Sequence, residues 1–149
     1  MRTSWSVIAI LAALVVLASA FQGALRSTPD AGEDDGELLQ GTWLREYSDQ
    51  GTTIRRVLDL EPSGAFHEAV RVVQPSGGVA RFAHEGTWHY DGTNLKRHYT
   101  LVNGKPPSRL NVPFATFQVT FDSPNEFTGV DHVHKVEVRY ERVPAGTEP

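Results

Sequence analysis

The sequence contains no cysteine among its 149 residues. Disulfide bonds, a lipid-modified N-terminal cysteine and a cysteine nucleophile are therefore excluded. A small domain without disulfides must be held by its core alone, which is ordinary for domains of the bacterial envelope. Gly-x-Ser-x-Gly and phosphate-loop motifs are also missing, and no pair of catalytic carboxylates stands out. The sequence therefore indicates no enzyme.

Positive charge is scarce as well, and the formal net charge is -4. Nucleic-acid binders usually carry a basic stripe, so no nucleic-acid partner is expected. The acidity is concentrated in residues 30–37, which hold five acids, whereas the chain from Leu38 onward has 12 basic and 13 acidic residues. Without apolar periodicity, the segment 21–37 is predicted to be an acidic, disordered linker.

One long apolar run lies near the N-terminus, where Arg2 precedes Val7 to Leu17 and then Ala18-Ser19-Ala20. This pattern predicts a signal peptide over 1–20, with cleavage before Phe21. The alternative is an uncleaved membrane anchor to about residue 25, because no charge occurs between Arg2 and Arg26. The first interpretation predicts a periplasmic or secreted protein. The second predicts an inner-membrane anchor as the only membrane contact, with the domain outside the cytoplasm.

Residues 38–149 show no sustained period of 3.6 residues, and clusters of Gly, Pro, Asn and Asp divide them into short runs. Eight meandering strands with one apolar face each most simply close into a barrel. We therefore predict an all-β domain over 38–149, a single up-and-down antiparallel barrel. The predicted strands are 39–47, 53–60, 65–73, 79–90, 94–102, 110–121, 126–131 and 135–143.

The triplet Gly-Thr-Trp occurs twice, at Gly41 to Trp43 and at Gly86 to Trp88. Glycine allows two backbones to pass closely, and tryptophan then seals one end of a β core. Together with Leu58–Phe66 and Val138–Val143, these triplets resemble the small exported bacterial lipocalin-like domains of the calycin superfamily. The chain departs from typical lipocalins in lacking cysteines, the C-terminal helix and the usual length. The resemblance implies a lipocalin-like barrel in which an arginine of the last strand covers the first tryptophan. Arg142 is the first candidate for this role and Arg139 the second.

Strand alternation places one ionisable residue on each of four inward faces, at Arg56, Glu68, His84 and Arg97. Pairing Leu60 with Phe66 would bring Arg56 diagonal to Glu68. In one interpretation these groups pair with each other at the barrel mouth. In the other, they line a pocket for a small ligand. The candidate ligand-binding residues are Arg56, Glu68, His84, Arg97 and Tyr99.

The expected function is non-enzymatic binding of a small hydrophobic or amphipathic ligand inside the barrel. The alternative is a filled barrel that recognises another envelope protein through its outer surface. No cofactor is expected. His132 and His134 share a strand face but lie beside a predicted turn, so we interpret them as solvated turn residues and expect no metal site.

If the N-terminal segment directs export, a reporter that is active only outside the cytoplasm will be active when fused after Pro149. N-terminal sequencing of the mature chain will then begin at Phe21, while retention of Arg2 in the membrane fraction would support the anchor. A chain found only in the soluble cytoplasmic fraction would contradict both interpretations.

Overall fold

The computed structural model describes residues 31–109 and 113–149, which form one helix followed by eight strands. The predicted signal peptide and residues 21–30 of the predicted linker lie outside the described residues. The elements are α1 (Ala31–Leu39), β1 (Gly41–Asp49), β2 (Thr52–Leu60), β3 (Ala65–Val73), β4 (Val79–Tyr90), β5 (Asn94–Val102), β6 (Phe114–Ser123), β7 (Glu126–Asp131) and β8 (Val136–Val143).

The eight strands form a closed barrel in which each strand pairs with its neighbours in sequence, and β8 pairs back with β1. All of these pairs are antiparallel. The predicted all-β, up-and-down barrel is therefore confirmed. No helix in the described part of the chain combines the length and apolar character needed to cross a bilayer.

The start of the folded domain differs from the prediction. Residues 31–37, predicted as disordered linker, belong to helix α1, and the first strand begins at Gly41 rather than at residue 39. The physical reason is burial at the end of the helix, where the Leu39 side chain is fully enclosed in the core. This tertiary contact outweighs the acidic composition that indicated a solvated linker. Strand β6 begins at Phe114, and residues 110–112 lie outside the described part.

One end of the barrel, which we call the closed end, is filled by apolar side chains. Trp43 and Phe127 are fully buried there and meet edge to face, with ring centroids 4.7 Å apart. Tyr140 stacks on the other side of Phe127 at 5.1 Å. These contacts form the main core. Its buried members are Leu39, Trp43, Leu58, Leu60, Phe66, Leu95, Val119, Phe127, Val138 and Tyr140.

Helix α1 is fixed to the closed end by Trp43 and Arg142. The Trp43 indole donates a hydrogen bond of 2.7 Å to the Leu39 carbonyl. Arg142 lies over the Trp43 ring at 4.2 Å and donates to the carbonyls of Gln40 at 2.8 Å and Leu38 at 2.5 Å. A Cβ atom on Gly41 would lie 2.6 Å from the Arg142 guanidinium. Arg142 is therefore the covering arginine that the sequence predicted.

The second candidate, Arg139, faces solvent and pairs with Glu126 instead. Its place in the strand explains the difference, because Arg139 lies opposite Thr128, whereas Arg142 lies opposite Trp43. Residues an odd number apart in a strand point to opposite faces, so only one of the two arginines can reach the tryptophan.

The second Gly-Thr-Trp triplet begins at a β-bulge between β4 and β5. Gly86 faces Tyr99, whereas the preceding Glu85 faces Leu101, so Thr100 is the extra residue. A Cβ atom on Gly86 would lie 1.9 Å from a backbone oxygen of β5, so only glycine fits there. The bulge places Leu101 on the face of outward-pointing Glu85. Uninterrupted alternation from Leu95 over the predicted strand 94–102 would place Leu101 in the interior, and the bulge corrects this.

The opposite end of the barrel, which we call the mouth, holds the starts of β4, β6 and β8. Phe82 and Val136 share a face with inward-pointing partners, Val70 and Asp131, yet they are 40% and 41% exposed. These inward-pointing side chains still meet solvent, so the barrel is accessible at this end. The described residues therefore form a barrel that is filled at the closed end and reached by solvent at the mouth.

Trp43→Ala is expected to lower the free energy of unfolding by about 3–5 kcal/mol, the usual cost of removing a buried large aromatic. Phe114→Ala is the matched control, because Phe114 is 59% exposed, and its loss should cost well under ~1 kcal/mol. Urea unfolding of both variants measures the difference. Equal midpoints for Trp43→Ala and the unmodified chain would contradict the role of Trp43 in closing the barrel.

Candidate functional site

Glu68 lies at the centre of the candidate site, on β3 midway up the barrel wall. The hairpin register pairs Leu60 with Phe66 and Leu58 with Glu68, as the sequence predicted. Alternation then turns Glu68 to the same inner face as Phe66 and Val70. Only 2% of Glu68 is exposed, so its carboxylate depends on protein groups rather than water.

Three side chains from three neighbouring strands surround this carboxylate. Arg56 of β2 approaches Oε2 at 3.3 Å, and Nδ1 of His84 on β4 lies 2.7 Å from the same oxygen. Arg97 of β5 approaches Oε1 at 3.3 Å. The structure thus brings four of the predicted site residues together as one cluster, and the interpretation that they pair with each other agrees with this geometry.

The electrostatics of the cluster favour a charged Glu68. Burial alone would raise the pKa of this carboxyl, but the hydrogen bond from His84 and the charges of Arg97 and Arg56 lower it to about 2. Burial opposes the charge of Arg97 as well, yet the attraction of Glu68 leaves its pKa raised. Burial likewise opposes the charge of Arg56, but the attraction of Glu68 leaves its pKa raised. The ion pairs therefore outweigh the cost of desolvation.

Arg97 is enclosed by aromatic rings. Its guanidinium carbon lies 5.5 Å from the ring centres of both Phe66 and Tyr99, and 5.6 Å from that of Phe117. Tyr99, the fifth predicted residue, also meets the His84 ring edge to face at 5.7 Å. Burial raises the pKa of the Tyr99 hydroxyl, so it stays neutral and able to donate a hydrogen bond.

The two arginines still have hydrogen-bonding capacity beyond Glu68. The Nε atoms of Arg56 and Arg97 are both buried and have no partner among the described residues. A guanidinium carries five N–H donors, and a single carboxylate cannot satisfy two such groups. Unpaired buried donors are costly, so this part of the interior is suited to a further acceptor.

Arg45 is an inward-facing residue that the sequence analysis missed. It lies directly opposite Arg56 in the β1–β2 register, and its guanidinium carbon is 4.2 Å from the Tyr47 ring centre. Alternation counted from Trp43 would have found it, since 43, 45 and 47 share one face. With Arg45 included, this inner face carries three arginines, of which Arg56 and Arg97 contact the buried Glu68 carboxylate and Arg45 lies beside Arg56. Positive charge therefore exceeds negative charge in the cluster.

The histidines of the β7–β8 turn do not join this cluster. His132 Nε2 lies 2.6 Å from the Gln118 side chain, and His134 Nδ1 lies 2.6 Å from Asp131. Asp131 also accepts backbone hydrogen bonds from Val133 and His134, which fixes the turn. Over residues 31–109 and 113–149, no group of three His, Asp or Glu side chains could hold a metal ion.

No protein-family profile matches this chain, and no curated protein matches it at a significant level. The chemistry of the site is therefore argued from its own geometry. Guanidinium donors, a neutral tyrosine hydroxyl and aromatic faces are groups that bind and orient a ligand. Such groups can hold an anionic acceptor next to apolar surface.

Glu68 should make stability depend on pH in the acid range. Because its pKa falls from 4.5 to about 2 on folding, its contribution is complete above about pH 4.5 and is lost as the pH falls towards 2. By linkage this contribution is about 3 kcal/mol. Glu68→Gln should therefore destabilise the chain at pH 7 by about 3–5 kcal/mol, and the deficit should shrink below pH 4.

Urea unfolding between pH 7 and pH 2.5 measures this effect. Glu46→Gln is the control, because Glu46 pairs with Arg55 on the exposed surface and should matter little. A deficit for Glu68→Gln that stays constant as the pH falls would show that Glu68 is not held charged by its neighbours.

Proposed function

We propose that this protein is a non-enzymatic binding protein whose barrel holds a small amphipathic ligand bearing an anionic group. The observation that carries the proposal is the excess of positive charge around Glu68, beneath an open mouth. The anionic group would accept hydrogen bonds from Arg56 and Arg97. The apolar part would lie above them, against the inner wall.

The inner wall above the cluster supports this orientation. Ile54, Val70 and Val72 point inward from β2 and β3, and Phe82 of β4 faces Val70 across the next pair of strands. Because the filled core occupies the closed end, a ligand can enter only from the mouth. Its charged group would then reach the middle of the barrel first, and its apolar part would remain near the opening.

The charge balance favours an anion over a neutral ligand. Arg56 and Arg97 contact the single carboxylate of Glu68, Arg45 lies beside Arg56 on the neighbouring strand, and a buried charge without a partner is unfavourable. A carboxylate or similar group would neutralise part of this excess and satisfy guanidinium donors with charge-assisted hydrogen bonds. A ligand without charge would lose this contribution.

The proposal also covers the family to which the chain belongs and the cellular compartment in which it acts. The Gly41, Trp43 and Arg142 arrangement and the eight-stranded meander support membership of the lipocalin-like domains, which the sequence resembles. The apolar segment before Phe21 supports export to the periplasm or beyond. A barrel in that compartment would serve to carry or sequester its ligand.

Two fluorescent probes with the same tail test the proposal, a dansyl-labelled long-chain carboxylic acid and the corresponding primary amide. We expect the acid to bind about tenfold or more tightly, because only it forms charge-assisted hydrogen bonds with arginine. Arg45→Met should remove much of this preference without loss of stability, since Arg45 has no ion-pair partner among the described residues.

Arg55→Met is the matched control, because Arg55 is the outward neighbour of Arg56 on the same strand. It should leave the affinity for the acid unchanged. Equal binding of acid and amide would contradict an anionic ligand. Failure of both probes to bind a folded chain would contradict a ligand pocket and favour the filled barrel that recognises a protein.

A further inference from the structure

The exposed large apolar side chains are gathered at the mouth. Val79 and Phe82 lie in the first third of β4, and Phe114 and Val136 are the first residues of β6 and β8. Val133 lies in the turn before β8 and is 83% exposed. All five lie at one end of an antiparallel barrel. Phe82 and Val136 point inward there, whereas Val79 and Phe114 lie on the outer face, with Phe114 stacked on His98 at 4.6 Å. We call these five residues the apolar rim.

Just below this rim, three arginines stand side by side on the outer wall. Arg55, Arg71 and Arg81 are direct cross-strand partners on β2, β3 and β4. Like charges in this position repel each other and destabilise a sheet. Glu46 neutralises only Arg55, at 3.0 Å. We call these three residues the arginine row.

The loops around the mouth add further positive charge. Lys105, Arg109 and Lys135 are exposed there, and they have no ion-pair partner within the described residues. The same holds for Arg71 and Arg81 of the arginine row. Acidic residues are present as well, since Asp49 and Glu137 are exposed at this end and Glu148 lines a surface pocket together with Arg81. The unpaired basic side chains outnumber these acids, so the mouth presents net basic groups beside exposed apolar ones.

The closed end has the opposite character. Glu61 and Asp91 lie in its turns, Asp122 lies near the end of β6, and the preceding helix adds Asp35 and Glu37. The basic residues near this end are engaged, as Lys96 pairs with Asp91 at 2.7 Å and Arg139 pairs with Glu126. Unpaired basic side chains are thus concentrated at the mouth, and acidic side chains predominate at the closed end.

We propose that the mouth is a docking surface for an anionic lipid bilayer, which it meets with the barrel axis pointing into the membrane surface. The apolar rim would enter the interfacial layer, while the arginine row and the loop lysines lie at the level of the phosphates. The acidic closed end would be repelled and face away. An acidic protein surface would satisfy the arginines but gives no reason for Val133 at a turn apex.

The absence of cysteine makes this orientation measurable in the full-length chain. Val133→Cys at the mouth and Thr93→Cys at the closed end each provide a single site for an environment-sensitive NBD fluorophore. On vesicles containing phosphatidylglycerol, the label at position 133 should shift to the blue and brighten, whereas the label at position 93 should not. Phosphatidylcholine vesicles should give little response at either position, and added salt should weaken the response.

The arginine row is tested in the labelled Val133→Cys chain. Arg71→Gln combined with Arg81→Gln should weaken vesicle binding on the order of 30-fold, because each basic residue near an anionic surface contributes to binding. Lys96→Gln removes a charge at the closed end and is the matched control, which should have no effect. Phe114→Ser should also weaken binding, by removing an apolar contact at the rim.

Three outcomes would overturn the proposal: no shift at position 133, equal shifts at positions 133 and 93, or equal responses on neutral and anionic vesicles. Equal shifts at positions 133 and 93 would arise if the N-terminal segment alone held the chain on the membrane without orienting it. Binding of the dansyl acid in solution is a separate measurement. Failure of either proposal can therefore be recognised independently of the other.

Discussion

The buried carboxylate of Glu68 is the constraint on which the interior depends. It lies on β3 and is contacted from β2, β4 and β5, so one side chain links four consecutive strands from inside the barrel. Burial disfavours its charge, and only the convergence of arginines and a histidine reverses this balance. A charged group at this height also divides the interior. Below it lie the buried apolar side chains of the core, and towards the mouth the inward-pointing Phe82 and Val136 are partly exposed.

This division explains how one small domain can have a stable core and could still bind a ligand. The aromatic core at Trp43, Phe66 and Phe127 excludes water and closes one end. The charged layer does not need to be packed to the same degree, because its arginines are held by ion pairs and by ring faces rather than by shape alone. The basic excess in the interior and the arginine row outside lie towards the same end. An anionic ligand and an anionic membrane would therefore both be attracted by the positive charge at this end of the barrel.

Strand alternation was sufficient to predict the barrel and four members of the charged cluster. Turn residues separated the strands, and the Leu60–Phe66 register placed Arg56 beside Glu68. Helix α1 could not be predicted, because its acidic residues are typical of a linker and only the burial of Leu39 in the folded chain explains the helix. The bulge at Thr100 changes the face of Leu101, since one extra residue reverses all later alternation. Arg45 shares the alternation of Trp43 and is therefore predictable from the same pattern.

The attachment of helix α1 sets an order of events along the chain. Its end is held by Arg142, which is 104 residues away from Leu38 and 102 residues away from Gln40. The barrel itself closes only when β8 pairs with β1. Neither the Arg142 contacts nor the pairing of β8 with β1 can form until the ribosome has synthesised β8. The barrel therefore cannot close during most of the chain's synthesis. A chain that completes its fold so late stays unfolded for longer, and the proposed export would require an unfolded chain at the translocation pore.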